Sequence, residues 1–151
     1  ATVVVPNMRY FRTSVNGITS IQDGRPCLFL GATRQTTNCM DFLDFFIGPH
    51  GCLAAGFVVC GDVVLIDNAH THHQLLPILE PILAARGIGI VLLPPYRPEH
   101  NPIELVWSKL KYLIQHYGRA TEHEAMVSLQ RAAAEVTMAD MRAYYSHCGY
   151  T

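Results

Sequence analysis

The sequence predicts an α/β fold: a mixed sheet in which an antiparallel hairpin is followed by parallel β-α-β strands, flanked by helices. Three observations carry this. Two β-rich runs flank Gln22-Asp23-Gly24-Arg25, whose Asp-Gly pair marks a tight hairpin. Two short apolar runs, Val63–Ile66 and Ile88–Leu93, are separated by a helix-length segment, the order of a β-α-β unit. Everything after Pro94-Pro95 has helical patterning. The hairpin-first order and the absence of a Gly-rich phosphate loop argue against a plain doubly wound nucleotide fold.

Taken in order, Thr2–Val5 are β-branched and stop at Pro6. Residues 10–21 read as a strand, with a bulge or bend at Asn16-Gly17, and residues 26–33 as its return. Thr37 or Asn38 caps a helix whose apolar stripe is Met40, Phe42, Leu43, Phe45 and Phe46, ended by Gly48-Pro49. Residues 48–61 are Gly-rich without a clear period. Val63–Ile66 is a continuous apolar run, the mark of a strand buried on both faces, and Ile88–Leu93 is a second one. Between them, residues 73–86 form a helix ended by Gly87. Asn101-Pro102 opens a helix through about residue 117. Thr121 and Glu124 are spaced as a capping box for a helix to Ala134, and a short helix spans 139–145. The chain is then one domain: strands over 1–36, helix and loop over 37–61, a β-α-β core over 62–93 and C-terminal helices over 94–151.

Of the 151 residues, 50% are hydrophobic and 15% charged, well under the usual ~25%, so disorder is excluded as the main state. Eleven basic residues against 12 acidic ones give a formal net charge of −1, without the basic surplus of a free-standing nucleic-acid binder. No apolar run reaches ~18 residues, so no membrane helix is expected. Ala1-Thr2-Val3 does not open a signal peptide, and the missing initiator Met points to a processed chain or a piece of something longer. Five cysteines without a C-x-x-C pair suggest reduced thiols inside a cell, nuclear or cytoplasmic, with an organelle not excluded.

Two acidic residues stand where chemistry is placed in such sheets. Asp67 directly follows the Val63–Ile66 strand, at its carboxyl end. On its own it reads equally as an Asx turn with Asn68. Glu104 is the third residue of a helix capped by Asn101, so it suits a capping box and the helix dipole as well as catalysis. One helix and one strand separate the two, which puts both carboxylates at the same sheet edge. Such a pair suits a hard cation such as Mg²⁺, with water and phosphate oxygens completing the shell. His70, His72 and His73 cluster after Asp67. A His70-x-His72 pair suits Zn²⁺, but no third ligand follows at metal-site spacing, which leaves loop histidines beside Asp67. Arg97, Lys109 and Lys111 are candidates for phosphate contact, although Lys109 and Lys111 do not share a helix face. Trp107 reads as a packing anchor, and Cys148 has no base partner.

The stretch Val64-Leu65-Ile66-Asp67-Asn68-Ala69-His70-Thr71-His72 and the stretch from Leu92 through Pro94-Pro95-Tyr96-Arg97-Pro98, Asn101-Pro102-Ile103-Glu104 and Trp107 to Lys111 resemble the DDE superfamily of transposases. The likeness is to the mariner branch and its bacterial insertion-sequence relatives. Residues 9–47, including Met40-Asp41-Phe42-Leu43-Asp44-Phe45, resemble the family's second and third strands and following helix. The resemblance implies an RNase H-like fold and Mg²⁺- or Mn²⁺-dependent cleavage and transfer of DNA strands at transposon ends. It makes Asp67 and Glu104 the second and third metal-binding carboxylates, and takes His70 as the family-like histidine. The family's first catalytic Asp, on a strand upstream, has no counterpart: Asp23 lies in the hairpin turn, Asp41 and Asp44 in a helix, and Asp62 just before a strand. The helix-turn-helix region that reads transposon ends is missing too. The expected function is therefore the catalytic core of a DDE transposase or endonuclease, incomplete or inactive as this chain. The alternative is a domesticated, non-catalytic module serving a larger assembly. The absent strand is central in that fold, between residues 10–21 and 62–66. A protein partner, a second copy or an upstream segment is expected to complete the sheet.

Overall fold

Side chains on a strand alternate between faces, and here the two faces of one hairpin meet different helical layers. The computed structural model describes residues 3–4, 13–33, 37–68, 70–95, 97–117 and 122–150. Strands β2 (Ser14–Thr19) and β3 (Leu28–Thr33) pair antiparallel without interruption, from Ser14 opposite Thr33 to Thr19 opposite Leu28. Strand β1 (Val3–Val4) pairs antiparallel with the start of β2, Val3 opposite Val15. The bulge expected at Asn16-Gly17 is not formed. Gly17 serves packing instead: a Cβ there would lie 2.6 Å from Cη2 of Trp107. The turn is wider than a two-residue hairpin, with the Ser20 N–H donating to Cys27 O at 3.0 Å and residues 21–26 looping beyond. Gly24 takes φ 80° at its tip, a conformation glycine adopts without a steric penalty.

Val15, Leu28 and Leu30 face α3 (Pro102–Tyr117), α4 (Glu122–Ala134) and α5 (Met138–His147), around Val106, Trp107, Leu110, Leu129 and Met141. Ile18 and Phe29 face the other core, built from Phe42, Phe45 and Phe46 of α1 (Cys39–Ile47) and Leu75, Leu79 and Leu83 of α2 (His70–Ala84). Strands β4 (Val63–Ile66) and β5 (Gly89–Leu92) pair in parallel, from Val63 opposite Gly89 to Ile66 opposite Leu92. Val64 and Ile66 belong to the α1–α2 core. This is the mixed α/β architecture of an RNase H-like fold, with an antiparallel hairpin sheet, a parallel β-α-β unit and helices against both.

Several elements depart from expectation in instructive ways. Asn38 caps α1 as expected, accepting from the Met40 and Asp41 N–H groups while Asp41 reaches back to the Asn38 N–H. Met40 is 62% exposed and is no part of the apolar stripe. The Gly-rich segment after α1 is tightly tied, Cys52 and Leu53 donating to the carbonyls of Phe45 and Phe46 and burying Cys52, Phe57 and Val58. Neither β4 nor β5 is buried on both faces. Val63 is 61% exposed, and Leu65 and Val91 also face solvent. Helix α2 starts at His70 rather than residue 73 and carries Pro77 and Pro81 in its interior, both exposed. Four apart, they share one face, so the two missing N–H donors fall on the solvent side. Gly87 ends the segment at φ 71°. Helix α5 is longer than expected, with a capping box between Thr137 and Asp140. Thr121, the expected cap of α4, lies outside the described residues.

Among the described residues the two sheets do not join. Arg25, beyond the turn end of β2, pairs with Asp62, just before β4, at 2.7 Å. The end of β2 therefore lies beside the start of β4, and the two strands run in opposite directions across a cleft. Gly17–Gln22 line one side of it and Asp62–Asp67 the other, around roughly 1050 Å³ of space open to solvent.

Two outcomes follow. Gly17→Ala pushes a methyl into Trp107 and Leu30, and is expected to cost ~1–3 kcal/mol in urea denaturation. Among the described residues no strand lies between the two facing edges, and such open edges invite pairing with another chain. The purified 151-residue chain is therefore expected to associate or to melt broadly in light scattering and thermal denaturation. A monomer with a sharp transition would contradict this.

Candidate active site

Of the candidate residues, Asp67 lines the cleft between β2 and β4, with His72 beside it. The cleft's inner wall is Phe42, Phe45, Phe46 and Phe57, and its far wall is Asn101, Pro102, Ile103 and Tyr145. Asp67 stands at its rim because β4 ends at Ile66 and the chain turns there into α2. The Asp67 side chain is half-buried, and one of its oxygens, Oδ1, lies 2.5 Å from Nδ1 of His72. The same ring nitrogen lies 3.2 Å from the Asp67 carbonyl oxygen. His72 is 3% exposed, and its ring stacks on Phe42 with centroids 4.2 Å apart at 23°. Beside it, Asn68 Oδ1 meets Nε2 of His73.

These histidines are not in a loop: they form the first turn of α2. The one that meets Asp67 is His72, not His70, whose side chain lies outside what the structure describes. The signal was present as the spacing Asp-Asn-x-x-x-His, which ends at His72. Residue 72 lies two positions into α2, and its ring turns back toward the strand end.

Glu104 lies in the first turn of α3, half-buried. The cleft reaches Ile103, one residue before it. The Asn101 side chain accepts from the Ile103 N–H at 3.4 Å, while the Asn101 N–H donates to Pro98 O at 2.9 Å. That backbone donor, which a capping-box carboxylate at Glu104 would take, is thus already used. Among the described residues no group of three His, Cys, Asp or Glu is placed to hold a metal ion. Carboxylate oxygens at Asp67 and Glu104 nonetheless match the hard donors that Mg²⁺ takes.

The basic candidates differ in what they are bound to. Arg97 is exposed and pairs with Glu99 at 3.1 Å; the Glu99 backbone N–H first, and the Arg97 guanidinium second, hold the Glu99 carboxyl below its usual range. Lys111 is exposed on α3. Lys109 is committed elsewhere, its ammonium lying 2.7 Å from Asp140, which also accepts from Thr137. A phosphate at Lys109 has to compete with that carboxylate. Trp107 is buried against Gly17, as its packing role requires. Burial pushes the Cys52 thiol up to about 12, and it also raises Cys148. Neither is a nucleophile at neutral pH.

Over residues 3–127 the sequence matches the family model described as DDE superfamily endonuclease. The chain belongs to that family. The matched segment spans β1 to β5 and α1 to α3, so it takes in both Asp67 and Glu104. No curated protein matches the chain, and no solved structure does. Among the described residues, no helix of this DDE endonuclease domain is long and apolar enough to cross a membrane.

The Asp140 knot gives a pH test. Lys109 first, then the Thr137 backbone N–H, hold the Asp140 carboxyl down from 3.8 to about 2. A depressed carboxylate stabilises the fold above its unfolded value and loses that contribution as the pH falls toward the folded one. Thermal melts are expected to drop between about pH 4 and pH 2, and Asp140→Asn should flatten that part of the profile. Equal slopes in both proteins would show that other carboxylates carry the acid sensitivity.

Proposed function

We propose that this domain is the catalytic core of a DDE transposase or endonuclease that cleaves and joins DNA strands with Mg²⁺ or Mn²⁺. The observation that carries the reading is the cleft, with Asp67 at its rim and the turn leading into Glu104 on its far wall. Asp67 and Glu104 are the residues that would hold the metal, on a strand end and a helix start whose backbones are fixed by hydrogen bonds. When bound, the metal polarises a phosphodiester oxygen and lowers the pKa of a water nucleophile. The chain's own part is to hold two anionic side chains at an opening wide enough for a phosphate, with Phe42 and Phe45 excluding water from the floor. Arg97, ahead of α3, and Lys111, in its second half, supply exposed positive charge for the DNA backbone. His70 and Lys109 stand as weaker candidates for the same role, Lys109 because Asp140 holds it.

A second reading is a domesticated, non-catalytic module that works as a subunit of a larger assembly. The near-neutral charge and the lack of a three-residue metal cluster among the described residues favour it. The two readings separate on metal and on DNA. In calorimetry the wild-type chain is expected to bind Mn²⁺ weakly, and Asp67→Asn to abolish the signal. Binding unchanged by Asp67→Asn would place the ion elsewhere.

For duplex DNA, 11 basic residues against 12 acidic ones neutralise few phosphates. A shallow salt slope and Kd in the non-specific range of ~10⁻⁴–10⁻⁶ M are expected at physiological salt. Nanomolar, sequence-selective binding by this chain alone would remove the non-catalytic reading.

A further inference from the structure

We propose that His72 is a positioning residue that fixes the Asp67 carboxylate at the cleft rim, with Phe42 fixing His72 in turn. The proposal rests on the metal-site reading of Asp67. A single ring nitrogen, Nδ1 of His72, lies 2.5 Å from Asp67 Oδ1 and 3.2 Å from Asp67 O. A carboxylate and a carbonyl only accept, so Nδ1 carries the proton and donates to both. The tautomer protonated only on Nε2 would set a lone pair against two oxygens. The contact thus ties the side chain and the backbone of one residue to one donor. This limits both where the strand end lies and how its carboxylate is turned.

The ring has little freedom of its own. It is 3% exposed and stacks on Phe42 at 4.2 Å, and Phe42 sits in the α1 layer against Phe46. A side chain that merely filled space there would need no nitrogen. The geometry matches the outer partners of metal ligands, which orient a ligand without touching the ion and whose loss typically weakens metal binding 10- to 100-fold.

Two substitutions separate donor from ring. His72→Phe keeps an aromatic face for Phe42 and removes the donor. His72→Asn keeps an amide N–H near the Nδ1 position and removes the stack. Mn²⁺ titration of the full chain is expected to show a loss of at least about ten-fold for His72→Phe. His72→Asn should recover most of it, with thermal melts confirming that each variant folds. Equal affinities for wild type and a folded His72→Phe would overturn the proposal.

Imidazole ¹⁵N NMR gives a readout independent of metal. The wild-type His72 ring should show a protonated Nδ1, and Asp67→Asn should shift its signals. An Nε2–H tautomer in the wild type overturns the proposal even if Mn²⁺ binds. A wild-type chain that takes up no Mn²⁺ overturns the metal reading, and the tautomer then decides whether His72 holds Asp67.

Discussion

Val15 and Ile18 lie three residues apart on β2, yet each belongs to a different hydrophobic core. The β2–β3 ladder is the wall between them, so both helical layers depend on its register. A shift of one residue would turn Val15 toward the α1 layer and Ile18 toward α3, exchanging every buried side chain at once. Two glycines make the wall thin enough. Gly17 admits Trp107 from one face, and Gly31 admits Phe45 from the other, where a Cβ would come within 2.7 Å of its ring. The large aromatics of both layers are thereby held against backbone, which anchors α1 and α3 to the same pair of strands.

From that anchoring the site takes its shape. Phe45 holds α1, α1 presents Phe42, and Phe42 supports the ring that grips Asp67. Trp107 holds α3, whose first residues, Pro102 and Ile103, line the far side of the same cleft one residue short of Glu104. The two candidate carboxylates are thus carried by opposite layers of the protein, joined through one hairpin. Arg25 and Asp62 set the direction of β4 against β2 and close the circuit at the other end of the cleft.

Much of this was legible in the sequence where the signal is local. Asn38 and Asp41 cap α1, Asn101-Pro102 opens α3, and the β-α-β order emerges from apolar runs and their breaks. Local reading failed where the outcome depends on what packs alongside. Val63-Val64-Leu65-Ile66 reads the same whether a layer covers one face or two, because all four side chains are apolar. Asn16-Gly17 looks like a bulge until Trp107, ninety positions on, supplies the reason for the glycine. The site followed the same division. Asp67 could be found from its strand, and the histidine beside it had its signal in the Asp-Asn-x-x-x-His spacing, whose meaning is the turn of α2 that brings His72 back over the strand end. A metal site shared by Asp67 and Glu104, as proposed, would depend on side-chain approach across the cleft, which no spacing along the chain determines.

The paired prolines of α2 have a consequence for the shape of that helix. Pro77 and Pro81 each lack the N–H that would bond one turn back, and each ring crowds the carbonyl four residues before it. Both lie on the outer surface, where freed carbonyls are met by water. A helix relaxed on its outer side and fully bonded on its inner side bows, convex to solvent. A straight rod touches a rounded core along its middle, but a bowed one keeps contact at both ends. Such a bow would suit α2 to its two tasks, seating Leu83 at one end and holding His72 over Asp67 at the other.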